Sequence, residues 1–277
     1  VQVRAALTAW ESEPVLVSVV AGIVIGLLLG ALGGGGAILA LPVLVYAAGQ
    51  SPHDAATGSL VIVGVTSAIA MIPHARAGRV HWRDGLTFGV VGIVGTFVGT
   101  ELASLVAGQS LLIAFAILLV VVAFLMWRRA RSSEVGASVA PGAAEHGHRP
   151  PALFENRAAT VIAAATLVGL LTGFFGVGGG FVVVPALVLA LGFPMREAVP
   201  TSLLILALNT ASALTARAVT DGLHLDWQVI GPFTAAAVVG SLIGGRIGAR
   251  APATLLQRAF ALVLLGAAAY VGWRSLR

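Results

Sequence analysis

Long apolar runs alternate with short polar punctuation along the chain, and the lengths of those runs predict its elements. Residues 15–48 form one apolar run, too long for a single straight membrane span of about 20 residues and too short for two. Four consecutive glycines, Gly33 to Gly36, divide it. Glycine costs a helix interior about 1 kcal/mol relative to alanine, so the cluster predicts a break. A turn at 49–54 leads to a second span at 55–73, a basic loop at 74–84 and a third span at 85–106. That third span carries Gly89, Gly92, Gly95 and Gly99, a spacing that lets membrane helices approach closely. A fourth span runs to Trp127, where Arg128, Arg129 and Arg131 stop it.

Residues 129–157 are rich in Ala, Gly, Pro and Ser and have no periodicity, the character of a flexible linker. Then the pattern returns. Gly26 pairs with Gly169, Gly30 with Gly173, Gly33 with Gly176, Gly36 with Gly179 and Pro42 with Pro185, all without a gap. Ser59-Leu60 pairs with Ser202-Leu203, and Trp82, Gly95 and Gly99 pair with Trp227, Gly240 and Gly244 after a small insertion. An internal repeat is settled before any fold is assigned. The expectation is an all-α polytopic membrane protein with two homologous units of four membrane segments. The first segment of each unit is broken at a glycine cluster. The division is a polar lead at 1–14, a first repeat at 15–128, the linker at 129–157 and a second repeat at 158–277.

Two orientations fit. If each glycine-broken run crosses the membrane once, the units are parallel; if each is a re-entrant hairpin, they are inverted. The tally of arginines on the linker side is equal in both, so the positive-inside rule does not choose. Inverted units are favoured by analogy with transporters built on paired broken helices.

Composition supports a membrane protein. The chain is 58% hydrophobic and 10% charged, with a mean hydropathy of +1.00, where a soluble domain carries roughly a quarter charged residues. The basic residues are all arginine and fall between apolar segments, not in one patch, which excludes nucleic acid as a partner despite the net charge of +5. Cysteine is absent, so no thiolate site or disulfide framework arises. The residues before the first span do not read as a cleavable leader. No catalytic pair or metal-binding helix motif falls inside a span, so the chain is not read as an enzyme and no cofactor is implied. The expected location is the cytoplasmic (inner) membrane, with multiple passes.

The glycine clusters carry the candidate chemistry. A helix that starts after a broken stretch presents free backbone N–H groups and the positive end of its dipole, a ready anion site. Gly33, Gly35 and Gly36 with Gly176, Gly178, Gly179 and Gly180 are therefore read as substrate-lining; close helix packing is the other reading. Ser59, Thr201 and Ser202 open the second span of each unit and either donate to the same anion or bond carbonyls of their own helix. Asn209, inside the sixth segment opposite Thr66, is read as part of the site or as an interhelical bond. Glu101 and Arg246 align in the repeat and are read as an ion pair or gate, or as charges near enough to the segment ends to reach the headgroups. Arg76, Arg79 and Arg83 are read as anchoring a cytoplasmic loop, with attraction of anions the other reading, and His74 and Arg217 end the second spans as snorkelling or entry cations.

These motifs together resemble the sulfite exporter TauE/SafE family of membrane permeases. The resemblance rests on Gly30-x-x-Gly33-Gly34-Gly35-Gly36 with Pro42, and on Gly173-x-x-Gly176-Val177-Gly178-Gly179-Gly180 with Pro185. Thr57-Gly58-Ser59-Leu60, Pro200-Thr201-Ser202-Leu203 and the loop from His74 to Trp82 match further elements. It implies a secondary transporter of a small sulfur-containing oxyanion, sulfite or an organosulfonate. An anion channel, or a permease for another small anion, is the alternative. The implied partners are that anion and the lipid bilayer; a coupling proton or other ion and a homo-oligomer stay open. One departure is His81, where an acidic residue is expected before the tryptophan, as in Asp226-Trp227.

Overall fold

The structure is a computed structural model that describes residues 14–46, 49–104, 108–139, 157–175, 180–220 and 225–275. Among them the chain is all-helical, with ten α-helices. They are α1 (Pro14–Leu32), α2 (Ala37–Tyr46), α3 (Pro52–Arg76), α4 (Trp82–Ser104), α5 (Gly108–Val139), α6 (Arg157–Phe175), α7 (Gly180–Leu189), α8 (Met195–Thr220), α9 (Trp227–Arg250) and α10 (Ala253–Ser275). Among the described residues, four segments are long and apolar enough to cross a membrane: Thr57–Arg76, Met195–Thr215, Trp227–Arg250 and Ala253–Trp273. Shorter apolar helices stand beside them, including Ser18–Leu32, Ala159–Thr172 and Gly180–Leu189.

Local chemistry sets the ends. Ser51 caps α3 by accepting the Asp54 N–H at 3.2 Å, with Pro52 in the first turn where its missing N–H costs nothing. Asp226 caps α9 in the same way, accepting the Gln228 N–H at 3.0 Å. Helix α5 continues past Arg128–Arg131 to Val139, beyond the stop expected from its charges. Arginine and alanine are good helix formers, so charge ends the apolar span there without ending the helix.

Glycines set the packing. On α1, a β-carbon at Gly26 or Gly30 would collide with the backbone of Ala237 or Ser241 on α9, and one at Gly22 would come within 2.6 Å of the Phe233 carbonyl. On α9, β-carbons at Gly240 and Gly244 would strike Ile23 and Leu27. The order of contacts rises along both helices, so α1 and α9 run parallel, with backbones in close approach. The same holds for α4 and α6: β-carbons at Gly95 and Gly99 would strike Thr166 and Leu170.

Helix α3 runs with α9, since Gly58 faces Ile230 near their starts and the His74 ring faces Gly245 near their ends. Helix α8 runs with α4, through Leu204 at Gly85 and Leu208 at Gly89. Helices α3 and α8 meet antiparallel: Gly64 faces Thr210 at their middles, and His81, just beyond α3, bonds Thr201 and Glu197 at the start of α8. The result is two triplets of opposite direction, α1–α3–α9 and α4–α6–α8.

Burial divides the apolar residues between core and lipid. Phe88, Phe181, Phe233 and Phe260 are fully buried, whereas Val90, Val94 and Phe97 form an exposed stripe on one face of α4. Such a stripe is a liability in water but matches acyl chains. Helix α7 is buried almost all round, as expected for a short helix held inside the bundle.

Candidate functional site

The first glycine cluster forms a tight turn. Gly33 takes φ +73°, a left-handed conformation that a side chain resists, and Gly34–Gly36 follow as a short 3-10 turn. The chain then doubles back. A β-carbon at Gly36 would lie 2.6 Å from the Ile25 carbonyl oxygen and from the Leu29 nitrogen, so the start of α2 lies against α1 and does not extend it.

This turn is where the second half of the chain arrives. A β-carbon at Gly34 would overlap the Gly180 carbonyl, and one at Gly180 would stand 3.0 Å from the Gly34 oxygen. Gly33 faces the Ser202 hydroxyl and Val184, and Gly35 lies under the Phe260 ring. Gly33, Gly35, Gly36 and Gly180 are thus all buried and near one another. Gly176, Gly178 and Gly179 lie outside the described residues.

The hydroxyls divide by what they bond. Ser202 stands at the glycine turn and donates to the Val199 carbonyl at 2.7 Å. Thr201 faces the other way: its oxygen accepts the His81 N–H at 3.2 Å and its methyl lies by Gly85. Ser59 sits near the start of α3, half-buried, next to Gly58. Thr172, Thr210 and Ser241 bond back to carbonyls of their own helices at 2.7–2.8 Å. Thr66, Ser67 and the Asn209 carbonyl oxygen are buried with no hydrogen-bond partner among the described residues. A buried polar atom without a partner is uncommon and calls for a ligand, a water or a second conformation.

Arg246 is exposed near the end of α9, and the Glu101 side chain lies outside the described residues. Their helices pack elsewhere: Gly99, just before Glu101, sits on α6, and Gly244, just before Arg246, sits on α1. Arg196 was visible in the sequence only as one more basic residue; the structure sets it beside His74 and Arg79. Its one sequence signal is its place in the first turn of a helix that follows Pro194.

The family described as Sulfite exporter TauE/SafE matches residues 18–271, nearly the whole chain. The chain belongs to that family. A "Probable membrane transporter protein" of Xylella fastidiosa (strain 9a5c) is 36% identical over 266 residues, covering 95% of this chain and 97% of its own. "Probable membrane transporter protein YunE" of Bacillus subtilis is 25% identical over 245 residues, covering 84% and 87%. "Probable membrane transporter protein MJ0441" of Methanocaldococcus jannaschii is 24% identical over 202 residues, covering 71% and 69%. No solved structure matches the chain. This TauE/SafE member is a multi-pass membrane protein of the transporter class, not an enzyme.

Proposed function

We propose that the protein is a secondary transporter that moves a small sulfur-containing oxyanion, sulfite or an organosulfonate, across the cytoplasmic membrane. The carrying observation is the meeting of Gly34 and Gly180 at the centre of the bundle. In this reading the two halves are inverted repeats, each with a first segment broken at its glycines. Several contacts support it. Gly240 on Ile23 and Gly244 on Leu27 have as their repeat equivalents Gly95 on Thr166 and Gly99 on Leu170. Each triplet combines two helices of one unit with the third helix of the other. The fold-back at Gly36 and the antiparallel α3–α8 pair are what inverted units require.

Ser202 faces Gly33 at the glycine turn, and Ser59 is its equivalent in the repeat. The proposed donors to one anion are the backbone N–H groups of Gly35, Gly36 and Gly180 with the Ser59 and Ser202 hydroxyls, without a buried arginine; Gly179, the remaining expected donor, lies outside the described residues. Gly34 against Gly180 is a closed arrangement, and the site opens when the two units part. The arginine-rich face that carries Arg76, Arg79, Arg83 and Arg196 is the cytoplasmic one.

Thermal-shift titration of the purified protein tests the substrate class. Sulfite, sulfoacetate and methanesulfonate are expected to raise the melting temperature in a saturable way, as binding to the folded state demands. Stabilisation by phosphate or chloride with none from any sulfur oxyanion contradicts the assignment.

A further inference from the structure

A cleft opens at the end of the bundle where α1, α3 and α9 finish and α8 begins. His74, Arg79, Arg196 and Val199 line it together with Gly30 and Gly245. Its floor is narrow, with room for about one water-sized group. His74 is 8% exposed, and its ring has no hydrogen-bond partner among the described residues. The Nε2 atom looks across the bare face of Gly245, where an added β-carbon would stand 3.3 Å away.

The charges around this cleft are unbalanced. Among the described residues, neither Arg79 nor Arg196 has an ion-pair partner. Glu197, next to Arg196 in sequence, turns away to His81 at 2.8 Å, and Asp84 lies 3.9 Å from the same ring. Holding Glu197 on His81 leaves two guanidinium groups and the positive end of α8 around one opening, with no carboxylate between them. A planar guanidinium suits the paired oxygens of a sulfonate or phosphate. Val199 joins this cleft to the glycine turn, since it lines the cleft and also lies 3.4 Å from a β-carbon placed on Gly33.

We propose that the cleft is an oxyanion-binding site at the mouth of the route to the glycine contact. One oxygen enters the floor beside His74, and the remaining oxygens face Arg79 and Arg196. The occupant is the sulfur-oxygen group of the transported anion, which rests on the carrier reading above, or the phosphate of an anionic lipid headgroup, which presents the same chemistry.

The test is calorimetric titration of sodium sulfite into the full chain in phosphatidylcholine nanodiscs. The Arg79→Gln/Arg196→Gln double variant is expected to bind at least roughly tenfold more weakly, the loss of two charge-assisted contacts. Gly245→Val fills the floor while keeping both arginines and is expected to weaken binding similarly, with melting and elution profiles confirming the fold of each variant. Repetition in phosphatidylglycerol nanodiscs separates the sources. If sulfite binding through Arg79 and Arg196 is lost only there, the headgroup is the resident occupant; if it persists, the soluble anion is. Both outcomes support the cleft. Unchanged sulfite affinity in both variants, or no binding by the wild type in phosphatidylcholine, overturns it. Flux keeps the two proposals apart. A wild type that moves sulfite while both variants bind normally refutes the cleft alone; one that binds sulfite through the arginines but moves no sulfur oxyanion refutes the carrier reading alone.

Discussion

Gly34 and Gly180 meet backbone to backbone, with the Gly34 oxygen 3.0 Å from where a Gly180 β-carbon would stand. They come from different halves of the chain, and the contact tolerates no side chain at Gly34 because what it would meet is backbone, which cannot rotate away. Overpacking at such a site costs about 1–3 kcal/mol or more. Gly34→Ala is therefore expected to lower the melting temperature or prevent folding. Gly266→Ala, on α10 with nothing within 4 Å, is expected to be neutral or stabilising by up to about 1 kcal/mol. Equal melting temperatures for the two variants contradict the close approach.

The buried hydroxyls give a second contrast. Ser202→Ala removes a bond to the Val199 carbonyl, whereas Ser67 bonds nothing among the described residues. A net hydrogen bond contributes about 1 kcal/mol, and removal of an unsatisfied polar group is neutral or favourable. Ser67→Ala is expected to leave the melting temperature unchanged or raised. A loss of stability larger than that of Ser202→Ala contradicts this placement.

His81 joins the loop after α3 to the start of α8 through Glu197 at 2.8 Å, Thr201 at 3.2 Å and the Phe193 ring at 4.7 Å between centroids. Both members of the His81–Glu197 pair are about 40% exposed, so solvent screens it strongly. A double-mutant cycle with His81→Ala and Glu197→Gln is expected to give a coupling below about 1 kcal/mol. A coupling of several kcal/mol shows the pair to be desolvated, against the geometry.

The turn at Gly33–Gly36 is legible in residues 26–42 alone; in the matching stretch 169–185, residues 176–179 lie outside the described residues. Consecutive glycines inside an apolar run report a backbone constraint directly, because few other causes keep side chains out of a membrane segment. The partners of those glycines were not legible. That Gly34 lies on Gly180 depends on how the turn after α1 meets the start of the short helix α7, which hydropathy does not encode. Arg196 carries no distinguishing signal in the sequence, because a lone arginine at a span end is what the positive-inside bias produces anywhere. Thr201 and Ser202 are adjacent in sequence, yet consecutive helical residues point about 100° apart, and of the two Ser202 faces the glycine turn while Thr201 meets His81 and Gly85. The departure at His81 gained its explanation from the structure. Asp226 caps a helix in the second half, while His81 at the equivalent place reaches across to Glu197.

Topology is directly accessible because the chain has no native cysteine. Single cysteines at Ser51 and Ala77 are expected to react with impermeant thiol reagents from opposite sides of the membrane, since α3 separates them. A cysteine at Ser12, outside the described residues, is expected to label from the same side as Ser51 if the first segment is a re-entrant hairpin. Labelling of Ser12 and Ser51 from opposite sides rejects the inverted arrangement.

The transport claim is tested most directly by counterflow of radiolabelled sulfite in proteoliposomes containing the purified protein. Loading the vesicles with unlabelled sulfite or an organosulfonate is expected to drive transient, saturable accumulation of external label, because a carrier returns faster when occupied. Flux that rises linearly with concentration and shows no counterflow identifies a channel, and the absence of flux for every sulfur oxyanion contradicts the account outright.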